Sequence, residues 1–204
     1  IPRFIEVFGI TATAAQWLTT AFMLTLAVVI PITGWLLQRF STRALFVTAM
    51  SLFTAGTLLG AVAPVFELLI VARVIQASGT AIVMPMLFTT VFALVAPQRR
   101  GQVIGTVSTV IAVAPAVGPS LSGFILSIAD WHWLFITMLP LTTTALIIGA
   151  VRMVDVGERR GSRLDVLSVL LSIPGFGGLV YGLAQLGEAG RTEPGAGPDP
   201  VVSG

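Results

Sequence analysis

The sequence predicts an all-α protein, a polytopic bundle of transmembrane helices. Only 10% of its 204 residues are charged and 55% are hydrophobic, whereas about 25% of the residues in a soluble domain are charged. The mean hydropathy is +0.98. Six uncharged runs of 21 to 32 residues separate the charges, and crossing a bilayer takes about 20 mainly apolar residues. A soluble enzyme and a disordered chain are both excluded by this composition.

Several kinds of chemistry are also excluded by residue type. Cysteine is absent, so the chain has no disulfide framework, no thiolate zinc site and no thiol nucleophile. A single histidine leaves little for a metal site, and we expect none. The sequence pI is about 10.4, but the arginines form no basic stripe outside short loops, which argues against nucleic acid. No nucleophile–base pair or carboxylate dyad lies within the apolar runs, so we expect no enzyme.

The apolar runs define the predicted spans and the loops between them. Spans are expected at about 14–37, 44–63, 67–95, 101–127, 132–152 and 165–186. Eight of the 11 arginines lie in three of the connections (38–43, 97–102 and 152–165), and the alternate turns hold none. The positive-inside rule places those three connections in the cytoplasm, including the loop 154–164, and places the Gly/Pro-rich segment 187–204 outside. Residue 1 would then lie outside, so at least one further span is expected before it.

Arg73 is the one charge that falls well inside a predicted span. An arginine at that depth costs roughly 3 kcal/mol or more unless it faces a partner or water. Gln76 follows about one turn later on nearly the same face. We interpret the pair as part of a transport pathway or proton relay; the alternative is an arginine that extends its side chain to the outer surface.

The span 101–127 is unusually rich in small residues and prolines. Ala114, Gly118 and Ser122 recur every four residues, and small faces let helix backbones approach closely. Pro115 and Pro119 remove backbone donors and favour a bend. This combination is typical of a helix against which others rock in a transporter; plain helix packing is the alternative. We interpret the glycine pairs elsewhere as plain packing: Gly56 with Gly60, and Gly178 with Gly182.

The connection between the first two spans reads GWLLQRFSTR over residues 34–43. It is similar to the loop motif GxLaDrxGrk of the major facilitator superfamily, with Gly34, Leu36, Arg39 and Arg43 as matches. Gln38 replaces the motif's acid, which is thought to pair with neighbouring charges and gate the closed state. Ser41 replaces its second glycine.

Two further motifs follow in the order that this superfamily has them. Its helix 4 motif, lxxxRxxqGxgaa, is matched by Leu69, Arg73, Gln76, Gly79 and Ala81. Its helix 5 antiporter motif, GxxxxxxxxGxxxGPxxGG, is matched by Gly105, Gly118, Pro119 and Gly123, with Ala114 and Ser122 as small replacements for glycine. Residues 131–135, WHWLF, followed by Pro140, resemble the start of helix 6. The chain therefore resembles the fourteen-helix drug:proton antiporters, and most closely the lincomycin-resistance type of multidrug exporter.

The resemblance implies a partial major facilitator fold with family helices 2–7. Residues 1–153 would form a partial N-terminal transporter lobe of five spans, and helix 1, which often carries an acid for coupling, would be absent. It implies proton-driven export of small, drug-like compounds across a bacterial plasma membrane, with the proton gradient as energy source and no cofactor. Lipid, substrate and protons would be the partners. A facilitator for nutrient or metabolite uptake and an inactive truncated membrane protein are the alternatives.

Overall fold

The computed structural model describes residues 10–153 and 155, together with the isolated positions 174, 175, 178 and 182. Within these residues it contains helices and no strand. The helices are α1 (Ala12–Arg39), α2 (Thr42–Ala61), α3 (Phe66–Leu94), α4 (Pro97–Ile128) and α5 (His132–Arg152). All five are long and apolar enough to cross a membrane. The predicted helix-bundle class is confirmed, and by the motif alignment α1 to α5 correspond to family helices 2 to 6.

The remaining expectations concern segments outside the described residues. The predicted loop 154–164 is described only at Asp155, and the predicted sixth span, 165–186, only at the four isolated positions. The predicted outside segment 187–204 lies wholly outside them.

Local sequence explains where the helices begin. Thr11 precedes α1 and its hydroxyl accepts a hydrogen bond of 3.2 Å from the backbone N–H of Ala14. Ser41 precedes α2 and accepts one of the same length from Ala44. Hydroxyl side chains at this position satisfy an N–H that otherwise has no partner within the helix. Pro97 begins α4, where its missing N–H costs nothing.

Helix α3 lies at the centre of the packing. It packs closely on α1 and α2, and α2 packs in turn on α5. One buried cluster lies at the end of the bundle that includes the α2–α3 and α4–α5 turns, and contains Leu18, Ala61, Ala63, Phe66, Leu69, Trp131 and Phe135. A second cluster lies toward the other end and contains Leu45, Ala49, Ile82 and Met86.

Glycines bring these helices into close contact. A Cβ at Gly56 would lie 2.7 Å from the carbonyl oxygen of Ala72, and one at Gly79 would overlap the carbonyl oxygen of Ala49. A Cβ at Gly60 would lie 2.6 Å from Cε1 of Phe135, so the packing interpretation of Gly56 and Gly60 is confirmed. Gly178 and Gly182 have no described atom within 4 Å of that position.

Large apolar side chains cover the outside of the bundle. Leu58 is 53% exposed, Ile128 72% and Val151 74%. In water such a surface would be an aggregation hazard, but in a bilayer it contacts lipid chains. The outward face of the bundle is thus suited to lipid, which agrees with the low charge content.

Candidate functional site

Arg73 lies about two turns into α3, on a half-buried face. Its Nη1 lies 3.5 Å from Oε1 of Gln76, at the outer limit of a hydrogen bond. Its Cζ lies 5.5 Å from the ring centroid of Phe135 on α5, within the range of a cation–π contact. The structure therefore brings the predicted pair Arg73 and Gln76 together.

Gln76 connects Arg73 to the interface between α3 and α2. Gln76 is 5% exposed, and its Nε2 donates a hydrogen bond of 2.8 Å to Oγ1 of Thr57. Thr57 is fully buried and donates in turn to the carbonyl oxygen of Phe53, at 2.7 Å. The hydrogen bonds run in one direction, from the guanidinium through the amide and the hydroxyl to a backbone carbonyl. Because the buried amide of Gln76 and the buried hydroxyl of Thr57 both have partners, these bonds stabilise the contact between the two helices.

A cavity of about 700 Å³ adjoins this network. The polar side chains of Arg73, Gln76 and Thr57 lie on one wall, and α4 and α5 supply most of the others. The remaining lining is mainly apolar and includes Phe22, Phe53, Leu121, Phe124, Ile125, Leu134, Phe135, Met138 and Leu141. Within the described residues no carboxylate lines this cavity. The arrangement places one fixed positive charge at the edge of an apolar space inside the bundle.

The antiporter motif of α4 is not packed against any described neighbour. None of the residues of α4 is buried, and a Cβ added at Gly105, Gly118 or Gly123 would have no described atom within 4 Å. Ala114 and Pro119 are likewise exposed. Gly118 and Ser122 line the same cavity as Arg73. The predicted role of this face as a surface on which other helices rock stays a prediction.

The loop motif forms the turn between α1 and α2. Gln38, which stands in place of the motif's acid, donates from Nε2 to the carbonyl oxygen of Gly34 within its own helix, at 3.2 Å. Arg39 lies over the ring of Trp35, with 5.9 Å between Cζ and the centroid. The backbone N–H of Arg43 donates to Oδ1 of Asp155, at 3.1 Å. The gating role of Gly34, Gln38, Arg39 and Arg43 stays a prediction.

Three residues of these sites were not singled out from the sequence: Thr57, Phe135 as a partner of Arg73, and Asp155. The only sequence signal for Thr57 is its position beside Gly56 on a face that packs closely. Within the described residues, no group of three His, Asp or Glu side chains is placed to hold a metal ion.

Comparison with known proteins decides the family. The model of the Major Facilitator Superfamily matches residues 1–186. The chain belongs to this superfamily. The superfamily match, the five membrane-competent helices and relatives in bacteria make this chain a multi-pass protein of the bacterial cell membrane. The relatives are transporters rather than enzymes.

Relatives of this facilitator include named resistance proteins. YcnB of Bacillus subtilis (strain 168), an uncharacterized MFS-type transporter, is 46% identical over 190 residues, which are 93% of this chain and 40% of YcnB. The lincomycin resistance protein LmrB of the same organism is 43% identical over 180 residues, 88% of this chain and 38% of LmrB. A multidrug resistance protein B homolog of Mycobacterium tuberculosis (strain ATCC 25618 / H37Rv) is 35% identical over 182 residues, 89% of this chain and 34% of the homolog. The chain thus spans 40% or less of the length of these relatives.

Proposed function

We propose that the full-length parent of this chain is a proton-coupled multidrug efflux antiporter that exports small amphipathic compounds by alternating access. The names of LmrB and of the mycobacterial homolog support export of drugs. The match of α4 to the antiporter motif supports exchange against protons rather than uptake. The observation that carries the proposal is the placement of Arg73, a charged side chain held by Gln76 and Phe135 beside a mainly apolar cavity.

A fixed charge in that position can link proton binding to substrate binding. An arginine stays protonated at any physiological pH. It favours the ionised form of a carboxylate that comes within about 4–6 Å, and the resemblance implies such an acid on family helix 1. A substrate that donates a hydrogen bond to the ionised carboxylate, or pairs with it, loses that contact when a proton binds to the acid. Protonation of the acid and occupation by the substrate then compete, which is the requirement for antiport.

The proton gradient is large enough to drive export of this kind. Moving one elementary charge down a membrane potential yields about 2.3 kcal/mol per 100 mV. A proton-motive force of about 150 mV therefore supplies roughly 3.5 kcal/mol, equivalent to a concentration ratio of about 300 for one neutral substrate per proton. No cofactor is required in this scheme.

The proposal is tested with the full-length parent in everted membrane vesicles. Respiration acidifies the vesicle lumen, which a pH-gradient dye such as acridine orange reports by quenching. We expect lincomycin to restore part of the fluorescence in vesicles that contain the parent, and to leave vesicles from the empty-vector strain unchanged. Direct measurement should show lincomycin accumulating in the lumen until an uncoupler is added. Accumulation that is insensitive to the uncoupler, or net movement in the direction of uptake, would contradict the proposal.

A further inference from the structure

The ring of Phe135, which contacts Arg73, is also packed against Gly60 and Trp131. It is 5% exposed. A Cβ at Gly60 on α2 would lie 2.6 Å from its Cε1, so the ring occupies space that only glycine leaves open. The ring of Trp131, the residue just before α5, meets it edge to face, with centroids 6.2 Å apart and an interplanar angle of 88°. The Phe135 ring therefore has little freedom to move.

The guanidinium of Arg73, by contrast, has few contacts that fix it. An arginine carries five N–H donors, and within the described residues the one hydrogen bond of this side chain is the 3.5 Å contact with Gln76. The amide of Gln76 is already oriented by its bond to Thr57. The face of the Phe135 ring, 5.5 Å from Cζ, is the other directional contact of this guanidinium within the described residues. Attraction between a cation and an aromatic face strengthens when water is excluded.

We propose that Phe135 is a positioning residue for Arg73: its ring, seated against Gly60, holds the guanidinium at the edge of the cavity. The inference rests on the proposed function for its effect on transport. It goes beyond that function because it assigns a role to a side chain of α5 and to a glycine of α2. The ring and the arginine act as one unit, so a change in either should alter the response of transport to protons.

Two substitutions of Phe135 distinguish the effect of the aromatic face from the effect of the volume of the side chain. Phe135→Tyr keeps the aromatic face, and Phe135→Leu keeps an apolar side chain of similar size without it. In the full-length parent we expect Phe135→Leu to lower proton-coupled efflux about tenfold, the effect of losing one desolvated cation–π contact. We also expect it to shift the pH profile of efflux. Phe135→Tyr should keep the wild-type pH profile and lower the rate less than Phe135→Leu does.

A second measurement does not depend on transport. The melting temperatures of the purified parent are compared for wild type, Phe135→Leu, Arg73→Met and the double variant. If the two side chains support each other, the two single losses do not add, because each removes the same contact. These four proteins form a double-mutant cycle. Gly60→Ala should displace the Phe135 ring, and the non-additivity between the Phe135 and Arg73 substitutions should then be smaller.

Different results would overturn the positioning role of Phe135 and the proposed proton-coupled efflux. Equal efflux and pH profiles for Phe135→Leu and Phe135→Tyr, or additive losses in the melting cycle, would overturn the positioning role of Phe135. Efflux that proves independent of protons would overturn the proposed function instead, and the melting cycle would still decide the role of Phe135.

Discussion

The side-chain amide of Gln76 donates a hydrogen bond of 2.8 Å to the hydroxyl of Thr57, joining α3 to α2 within the apolar part of the bundle. Both side chains are buried. Gln76 also faces Arg73, so the contact that fixes the helix interface fixes one neighbour of the intramembrane charge as well. The amide of Gln76 therefore both stabilises the interface between α2 and α3 and contacts the arginine of the proposed transport site.

Thr57→Val should destabilise the parent because it removes the acceptor while keeping the shape of the side chain. The Nε2 of Gln76 would be left buried and unsatisfied, at a cost of about 1–3 kcal/mol. Thr57→Ser is the matched control, since it keeps the hydroxyl. Thermal unfolding of the purified parent checks this, and equal melting temperatures for the two variants would show that the bond contributes nothing.

The same substitution at two glycines should have opposite effects. Gly79→Ala forces a methyl group onto the carbonyl oxygen of Ala49 and to 2.9 Å from the backbone nitrogen of Phe53. Backbone atoms cannot move aside cheaply, so we expect a lower yield of folded protein and a lower melting temperature. Gly118→Ala on α4 meets no described atom within 4 Å, and alanine favours a helix by up to about 1 kcal/mol over glycine. Its yield should equal or exceed that of the wild type.

A loss of folded protein in both glycine variants would mean that α4 is packed in the parent as closely as α3. The comparison thus also tests whether the antiporter motif meets a partner elsewhere in the full-length protein.

Asp155 should stabilise the start of α2 through a salt-sensitive contact. Its carboxylate accepts from the N–H of Arg43, in the first turn, and both residues are exposed. A negative charge there interacts favourably with the helix dipole, by about 0.3–1 kcal/mol. We expect Asp155→Ala to lower the melting temperature, Asp155→Asn to lower it less because an acceptor remains, and both differences to shrink in about 1 M salt, which screens exposed charges. Differences that do not change with salt would point to packing instead.

The spacing of the charges was sufficient to predict the five described helices, but only part of the site. Arg73 could be recognised because a charge inside an apolar span has a free-energy cost whichever helices that span packs against. Thr57 could not, because threonines are common in apolar helices and the sequence does not show which of them faces Gln76. The contact between Arg43 and Asp155 joins residues that are 112 positions apart, and no local pattern connects them. The small face of α4 was recognised from its spacing, but within the described residues nothing packs on it.

The role of Arg73 in coupling is tested by measuring substrate-driven proton movement in everted vesicles that contain the Arg73→Ala variant. Arg99→Ala, at an exposed position near the start of α4, is the matched control for loss of an arginine. We predict that both variants reach the membrane in wild-type amounts, that Arg99→Ala keeps the fluorescence response to lincomycin, and that Arg73→Ala loses it together with export. An Arg73→Ala variant that exports lincomycin and moves protons as the wild type does would show that Arg73 has no part in coupling.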